Sequence, residues 1–254
     1  MRGPSGVLAL VLAETAAGTA AALWLTPLWG AVKRGFFILT GAVAFLCGGL
    51  AVLSLSASAE GTLSVGALAV TSALLGLTLV ALLLRLGTVA RWLGAVSVAS
   101  SVASLAALAS LAESSFAVAL FQLLAGALFM GAVTVGLLLG HWYLTDRRLG
   151  REHIQRLSLL LIVAVVLEGA AIASGGFGDL SGPAVGFSPF LSISGLASWL
   201  ALGMAAATAL IAVLIRASLQ GTRARAVQAA TGFFYLAVIT AFTAETAAKI
   251  GFLA

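Results

Sequence analysis

Long apolar stretches dominate this sequence, and about eight of them are each long enough to cross a lipid bilayer. A membrane-spanning helix needs about 20 predominantly apolar residues. We therefore predict an all-α, polytopic membrane bundle of about eight transmembrane helices. The predicted helices begin near Val7, Gly35, Ser64, Thr88, Phe116, Ile154, Leu191 and Val227.

The basic residues fall almost entirely in alternate gaps between these stretches. The odd-numbered gaps hold eleven of them, and the other side holds only Arg2 and Lys249. Because cytoplasmic loops carry an excess of Lys and Arg, the odd gaps are expected to face the cytoplasm. Both termini are then expected to lie outside, in a multi-pass protein of the cytoplasmic (inner) membrane. The eleven residues are Lys33, Arg34, Arg85, Arg91, Arg147, Arg148, Arg151, Arg156, Arg216, Arg223 and Arg225.

Composition excludes several classes of protein. With 62% hydrophobic residues, 8% charged residues and a mean hydropathy of +1.18, the chain does not match a soluble globular domain. The net charge of +5 reflects short basic loops, so we expect the lipid bilayer and no nucleic acid as a partner. The single Cys47 allows no internal disulfide or cysteine-ligated cluster. The first apolar run is expected to be a retained helix rather than a cleaved signal peptide.

The connections between the predicted helices are short, except for one on the outer side. The segment GGFGDLSGPAVGFSPF, residues 175–190, is the only connection with room for structure of its own. The whole chain, residues 1–254, is expected to form a single integral membrane domain. A division into two four-helix halves, about 1–112 and 113–254, is left open.

Three carboxylates lie within predicted helices, in the outer half of the bilayer. They are Glu14, Glu168 and Glu245. An ionised group at the bilayer centre costs about 3 kcal/mol on insertion scales, so three at one depth suggest a shared polar pocket that handles protons. Lys249 follows Glu245 by one helical turn and is placed to pair with it, and Gln122 is placed to join them. The alternative is structural: Glu14 and Lys249 extend to the surface, and a buried Glu bonds a neighbouring helix.

A second group of polar residues, GHWYLTDRRLGREH, crosses the predicted inner surface at the end of the fifth helix. One interpretation is an interfacial anchor, with Trp142 and Tyr143 in the headgroup layer before a run of basic residues. The other is a functional contact, in which His141 exchanges protons or binds a quinone headgroup together with its aromatic neighbours.

The sequence lacks the common signatures of bound cofactors and of hydrolytic enzymes. Bis-histidine haem ligation needs histidines at matching depth on facing helices, and the two present, His141 and His153, do not meet that need. No HExxH, P-loop, GxSxG or acidic metal cluster is found. We expect no covalent or metal cofactor.

The last helix resembles the terminal helix of a known family. In LAVITAFTAETAAKIGFLA, Glu245 is followed four residues later by the basic Lys249, and ETAAG from Glu14 to Gly18 fits the first helix more loosely. These stretches are similar to the membrane anchors of the NrfD, polysulfide reductase and dimethyl sulfoxide reductase group. The resemblance implies a quinone-interacting anchor that works with an iron–sulfur or cytochrome partner subunit.

The chain departs from those relatives between the second and third helices. Relatives place a His in this region and a Glu in the third helix, whereas this chain has LSLSASAEGTLSVGALAV, with Glu60 in the loop and no His. If the resemblance holds, the quinone site is either rebuilt around Glu168 or lost.

The favoured hypothesis is a quinone-interacting subunit of a respiratory redox complex. Glu168 would accept a proton from the quinol form of a quinone such as menaquinone, Glu14 or Glu245 would relay it outward, and Lys249 would tune Glu245. Such a subunit is at most a quinone-site component of an oxidoreductase. A small proton- or cation-coupled transporter is the alternative, and an enzyme acting on lipids or isoprenoids and a purely structural role are the others.

Overall fold

The computed structural model describes residues 3–25, 28–57, 62–146, 149–175, 196–220 and 225–252. Within these ranges the chain forms eight α-helices and no β-sheet, which confirms the predicted fold class. Seven of the eight predicted starts lie within three residues of the observed ones, and the eighth, at Leu191, falls outside the described residues. The helices are α1 (Pro4–Leu25), α2 (Arg34–Ser56), α3 (Thr62–Leu83), α4 (Gly87–Ala109), α5 (Phe116–Thr145), α6 (Glu152–Ser174), α7 (Leu196–Gln220) and α8 (Ala226–Phe252).

Each of these helices in the described part of the chain is long and apolar enough to cross a membrane. The protein is a multi-pass membrane protein of the helix-bundle type. Which side each end faces stays a prediction from the basic residues. Several residues used in that prediction and in the loop assignments lie outside the described ranges: Arg2, Glu60, Arg147, Arg148, Arg223 and residues 176–190 of the outer segment.

Helices α1 and α5 form the centre of the bundle and are buried on most sides. Helix α1 packs against α2, α4, α5 and α8, and α5 also packs against α6 and α8. The two central helices touch backbone to backbone at Gly18 of α1 and Gly131 of α5. A Cβ atom on Gly18 would overlap the main chain of Ala127 in α5, and a Cβ atom on Gly131 would overlap the main chain of Gly18. Small residues allow this approach, which is how helices gain van der Waals contact in lipid.

Hydroxyl groups join α3 to α4 at the periphery. The Thr71 hydroxyl lies 2.7 Å from the hydroxyls of both Ser100 and Ser104, and Thr78 lies 3.3 Å from Ser97. The serine-rich sequence of the fourth helix is therefore a packing surface, as its small residues indicate. The buried charged residues of the bundle instead lie among α1, α5, α6 and α8.

Candidate functional site

Four ionisable side chains meet in the interior of the bundle. They are Glu14 from α1, Glu168 from α6, and Glu245 and Lys249 from α8, and we call them the carboxylate–lysine cluster. Their exposed fractions are 0%, 1%, 0% and 2%. Each helix alone would carry one or two isolated charges, so only the packing of these helices creates a polar site.

Lys249 is the centre of the cluster. Its Nζ lies 2.7 Å from Oε1 of Glu14 and 2.6 Å from Oε1 of Glu245. The pairing of Glu245 with Lys249 that the four-residue spacing predicts is therefore present. The ammonium also lies 5.7 Å from the centre of the Phe252 ring, within the range of a cation–π interaction. The ion pairs fix α8 to α1 inside the membrane.

Glu168 approaches the same cluster from α6. It is close enough to Glu245 and Lys249 for their charges to interact. Glu14 and Glu168 each lie within side-chain hydrogen-bonding reach of Glu245, and no N–H or hydroxyl group of the described residues donates to Oε2 of any of the three. Buried polar atoms are nearly always hydrogen-bonded. Two carboxyl groups in contact meet this requirement when one of them is protonated and donates to the other.

The cluster lies well inside the bundle. Glu14 is ten residues after Pro4 and Glu168 six residues before Ser174, about 15 Å and about 9 Å from those helix ends. The part of the structural alternative in which Glu14 and Lys249 extend to the surface does not fit their burial or their ion pairs, whereas a buried Glu that bonds a neighbouring helix does fit the ion pair between α1 and α8. The three carboxylates converge as the shared pocket suggested from the sequence requires, and their depth in the membrane stays a prediction.

Gly126 on α5 makes the room for the paired carboxylates. A Cβ atom at this position would lie 2.5 Å from Oε1 of Glu245 and 2.7 Å from Oε1 of Glu14. Sequence reasoning did not find this residue, because 29 glycines offer no local signal to separate one that faces a charged group from one that faces lipid. GALFMG contains Gly126 and Gly131. Their roles can be identified only in the folded bundle, where Gly126 faces carboxylates of α1 and α8 and Gly131 contacts α1.

Replacing Gly126 with alanine is expected to displace both carboxylates from Lys249. The new methyl group would fall within contact distance of two charged oxygens, and we expect a loss of about 1–2 kcal/mol in the free energy of unfolding. Thermal unfolding in mild detergent would measure this loss. Gly203→Ala is the matched control, since nothing lies within 4 Å of its Cβ position, and an equal loss in both variants would contradict a specific role for Gly126.

Among the described contacts, Gln122 makes no hydrogen bond to the carboxylate–lysine cluster. It connects α5 to α6 instead. Its Nε2 donates to the carbonyl oxygen of Ala171, 3.2 Å away and one turn beyond Glu168. A Cβ atom on Gly175 would also contact the Gln122 amide, so that glycine leaves space for it. Gln122 is thus a positioning contact for the helix that carries Glu168.

The second predicted group lies at the other end of α5. His141 is 15 residues from Gly126, about 22 Å along the helix, and its side chain is exposed. Trp142 packs edge-on against Phe36, with ring centroids 6.2 Å apart, and the Tyr143 hydroxyl donates to the carbonyl oxygen of Gly150. The distance along α5 separates His141, Trp142 and Tyr143 from the cluster, and both interpretations of this segment stay predictions.

The described residues contain no group of three or more His, Cys, Asp or Glu side chains arranged to hold a metal ion. Comparisons with known protein families, with curated proteins and with solved structures found no match for this chain. The functional argument therefore depends on the cluster itself.

Proposed function

We propose that this membrane protein exchanges protons at the carboxylate–lysine cluster, as the quinone-interacting subunit of a redox complex. The observation that carries the proposal is the charge balance of the cluster. Three carboxylates and one ammonium have a formal charge of −2 when all four groups are ionised (three negative, one positive). An uncompensated buried charge costs several kcal/mol, so the cluster is stabilised by any cationic species that it takes up.

A proton suits this site better than a metal ion does. The Lys249 ammonium already lies between Glu14 and Glu245, at 2.7 and 2.6 Å, where a cation would have to bind. The Oε2 atoms, one on each glutamate, accept from no N–H or hydroxyl donor of the described residues. A proton on one of these carboxyl groups would be shared with a neighbour, because Glu14 and Glu168 both lie within side-chain hydrogen-bonding reach of Glu245.

Glu168 is assigned the role of first proton acceptor. Among the described residues it makes no ion pair of the kind that holds Glu14 and Glu245 on Lys249, and its side chain is 1% exposed. Glu245 and Glu14 would pass the proton on, because both interact electrostatically with the same lysine. The positive charge of Lys249 would compensate the negative charge that remains on the carboxylates after each transfer.

A quinol is the proposed proton donor. The residues that carry the resemblance to the NrfD and polysulfide reductase anchors are Glu14, Glu245 and Lys249, and these are the residues in direct contact. A quinol releases protons as its electrons leave, and the carboxylates of the cluster would take up those protons, as the resemblance to these anchors implies. An iron–sulfur or cytochrome subunit is therefore proposed as the electron acceptor. Proton-coupled transport is the second candidate, because a proton-binding cluster within the membrane serves it equally.

The first experiment is purification in mild detergent, followed by mass spectrometry of the accompanying proteins and lipids. A redox subunit or stoichiometric quinone supports the quinone role. A lone protein that carries protons into liposomes down an imposed gradient contradicts it and supports transport.

Glu168→Gln is expected to insert and accumulate normally but to lower proton-coupled activity about 100-fold or more, the usual range for removal of a general base. Quinol oxidation by membranes or proton flux in liposomes would be the measured activity. The control is Glu152→Gln, which lies at the exposed start of the same helix. Loss of a protonated-carboxyl infrared band in Glu168→Gln alone would give a readout that needs no partner. Unchanged activity and an unchanged infrared band would remove Glu168 from the proposal.

A further inference from the structure

A cavity of about 510 Å³ opens between the start of α2 and the turn that joins α3 to α4. This end of the bundle carries the basic residues and is far from the carboxylate–lysine cluster. Arg34 and Arg85 line the cavity together with Trp29, Phe37 and Leu82. It therefore combines two guanidinium groups with an aromatic and aliphatic wall.

The guanidinium groups leave donors available to a ligand. Both arginines are exposed, and Arg34 uses Nη1 for one long bond of 3.4 Å to the carbonyl oxygen of Leu82. A third cation, Arg91, lies 5.7 Å above the ring of Trp29, which itself lines the cavity. Guanidinium groups bind phosphate oxygens in a two-pronged geometry that lysine does not provide.

Two helix N-termini add to this positive potential. Helix α2 begins at Arg34 and α4 begins at Gly87, and both residues line the cavity. Neither preceding residue, Lys33 or Leu86, caps its helix with a side-chain hydrogen bond. Uncapped N–H groups and the helix dipole favour an anion at this position.

Arg85 adopts a backbone conformation that favours glycine. Its φ is 63°, and it is the only residue other than glycine with a positive φ among the described residues. Glycine would satisfy the turn between α3 and α4 without strain. An arginine at this position instead adds a guanidinium group to the cavity wall.

We propose that this cavity binds the phosphate-bearing headgroup of an anionic phospholipid. The arginines and helix N-termini fit the phosphate, and Trp29, Phe37 and Leu82 fit the adjoining glycerol and acyl carbons. Leu83 and Leu84, which follow in the chain, are 55% and 64% exposed and offer an apolar surface on which an acyl chain can continue. Basic pockets between helices near the membrane surface are known to hold anionic lipids.

The test compares lipid binding by the intact protein in detergent. Native mass spectrometry and thermal unfolding would be measured with phosphatidylglycerol or phosphatidylcholine, using wild type, Arg34→Gln and Arg85→Gly. We expect phosphatidylglycerol to bind preferentially and each substitution to weaken it about fivefold. Arg85→Gly keeps the turn, since glycine accepts the positive φ, so a loss of lipid binding would not reflect misfolding.

Arg156→Gln is the matched control, because it removes one exposed arginine from the same end of the bundle without changing the cavity. Lipid preference kept in Arg156→Gln and reduced in the two cavity variants supports the proposal. Equal loss in all three variants, or none in any, overturns it. If inorganic phosphate raised the unfolding temperature as much as phosphatidylglycerol does, at matched ionic strength, the assignment to a lipid would be overturned.

Discussion

Replacing Lys249 with methionine is expected to lower the free energy of unfolding by about 3–5 kcal/mol, the usual cost of removing one partner from a buried ion pair. The substitution keeps the length of the side chain but leaves Glu14 and Glu245 facing each other without the ammonium that lies 2.7 and 2.6 Å from them. Thermal unfolding of the purified protein and its amount in membranes would report the loss.

The other lysine of the chain provides the control. Lys33 pairs with Asp146 at 2.8 Å, but its side chain is 72% exposed, so Lys33→Met is expected to cost less than about 1 kcal/mol. Adding Glu14→Gln and Glu245→Gln to Lys249→Met is expected to restore part of the stability, because no unpaired charge then remains between α1 and α8. Similar stabilities for Lys249→Met and Lys33→Met would show that the buried pairs do not hold the helices together.

Gly131→Ala is expected to cost about 3 kcal/mol, at the upper end of the range for overpacking a well-packed interior. The added methyl group would overlap the backbone of Gly18, and a backbone cannot move aside as a flexible side chain can. The central helices α1 and α5 would have to separate. Because Glu14 is on α1 one turn from Gly18, this separation should also disturb the cluster. Thermal unfolding and the infrared signal of the carboxyl groups would measure the two effects separately.

Gly232→Ala gives the comparison for a helix glycine in open space. Nothing lies within 4 Å of its Cβ position, and alanine has the higher helix propensity, so we expect no loss of stability. If Gly131→Ala were tolerated as well as Gly232→Ala, the close contact of α1 with α5 would not be a determinant of the fold.

The presence of three carboxylates within membrane-crossing helices could be predicted, because the extent of each apolar run sets the length of its helix. The ion pair of Glu245 with Lys249 could also be predicted, since it lies within one helix and depends only on residue spacing. The direct contact of Lys249 with Glu14 could not be predicted. The two residues are 235 positions apart in the sequence and meet only if α1 and α8 pack at the required rotation.

The roles of Gln122 and Gly126 show the same limit. Both belong to an apolar helix in which many rotations are compatible with the sequence, and Gln122 bonds Ala171 because α5 turns that face toward α6. The same rotation points Gly126 at Glu14 and Glu245. Sequence reasoning placed Gln122 with the cluster because it considered only its depth.

The sequence by itself determined that this chain forms eight membrane-crossing helices, and it predicts the side on which their basic ends lie. These properties depend on the apolar length of each segment and on the residues that flank it, so they are local. Only the tertiary structure decided which charged groups meet. Helices in lipid have no hydrophobic preference for one neighbour over another, so their rotation is set by close contacts such as Gly18 with Gly131 and by the ion pairs of Lys249.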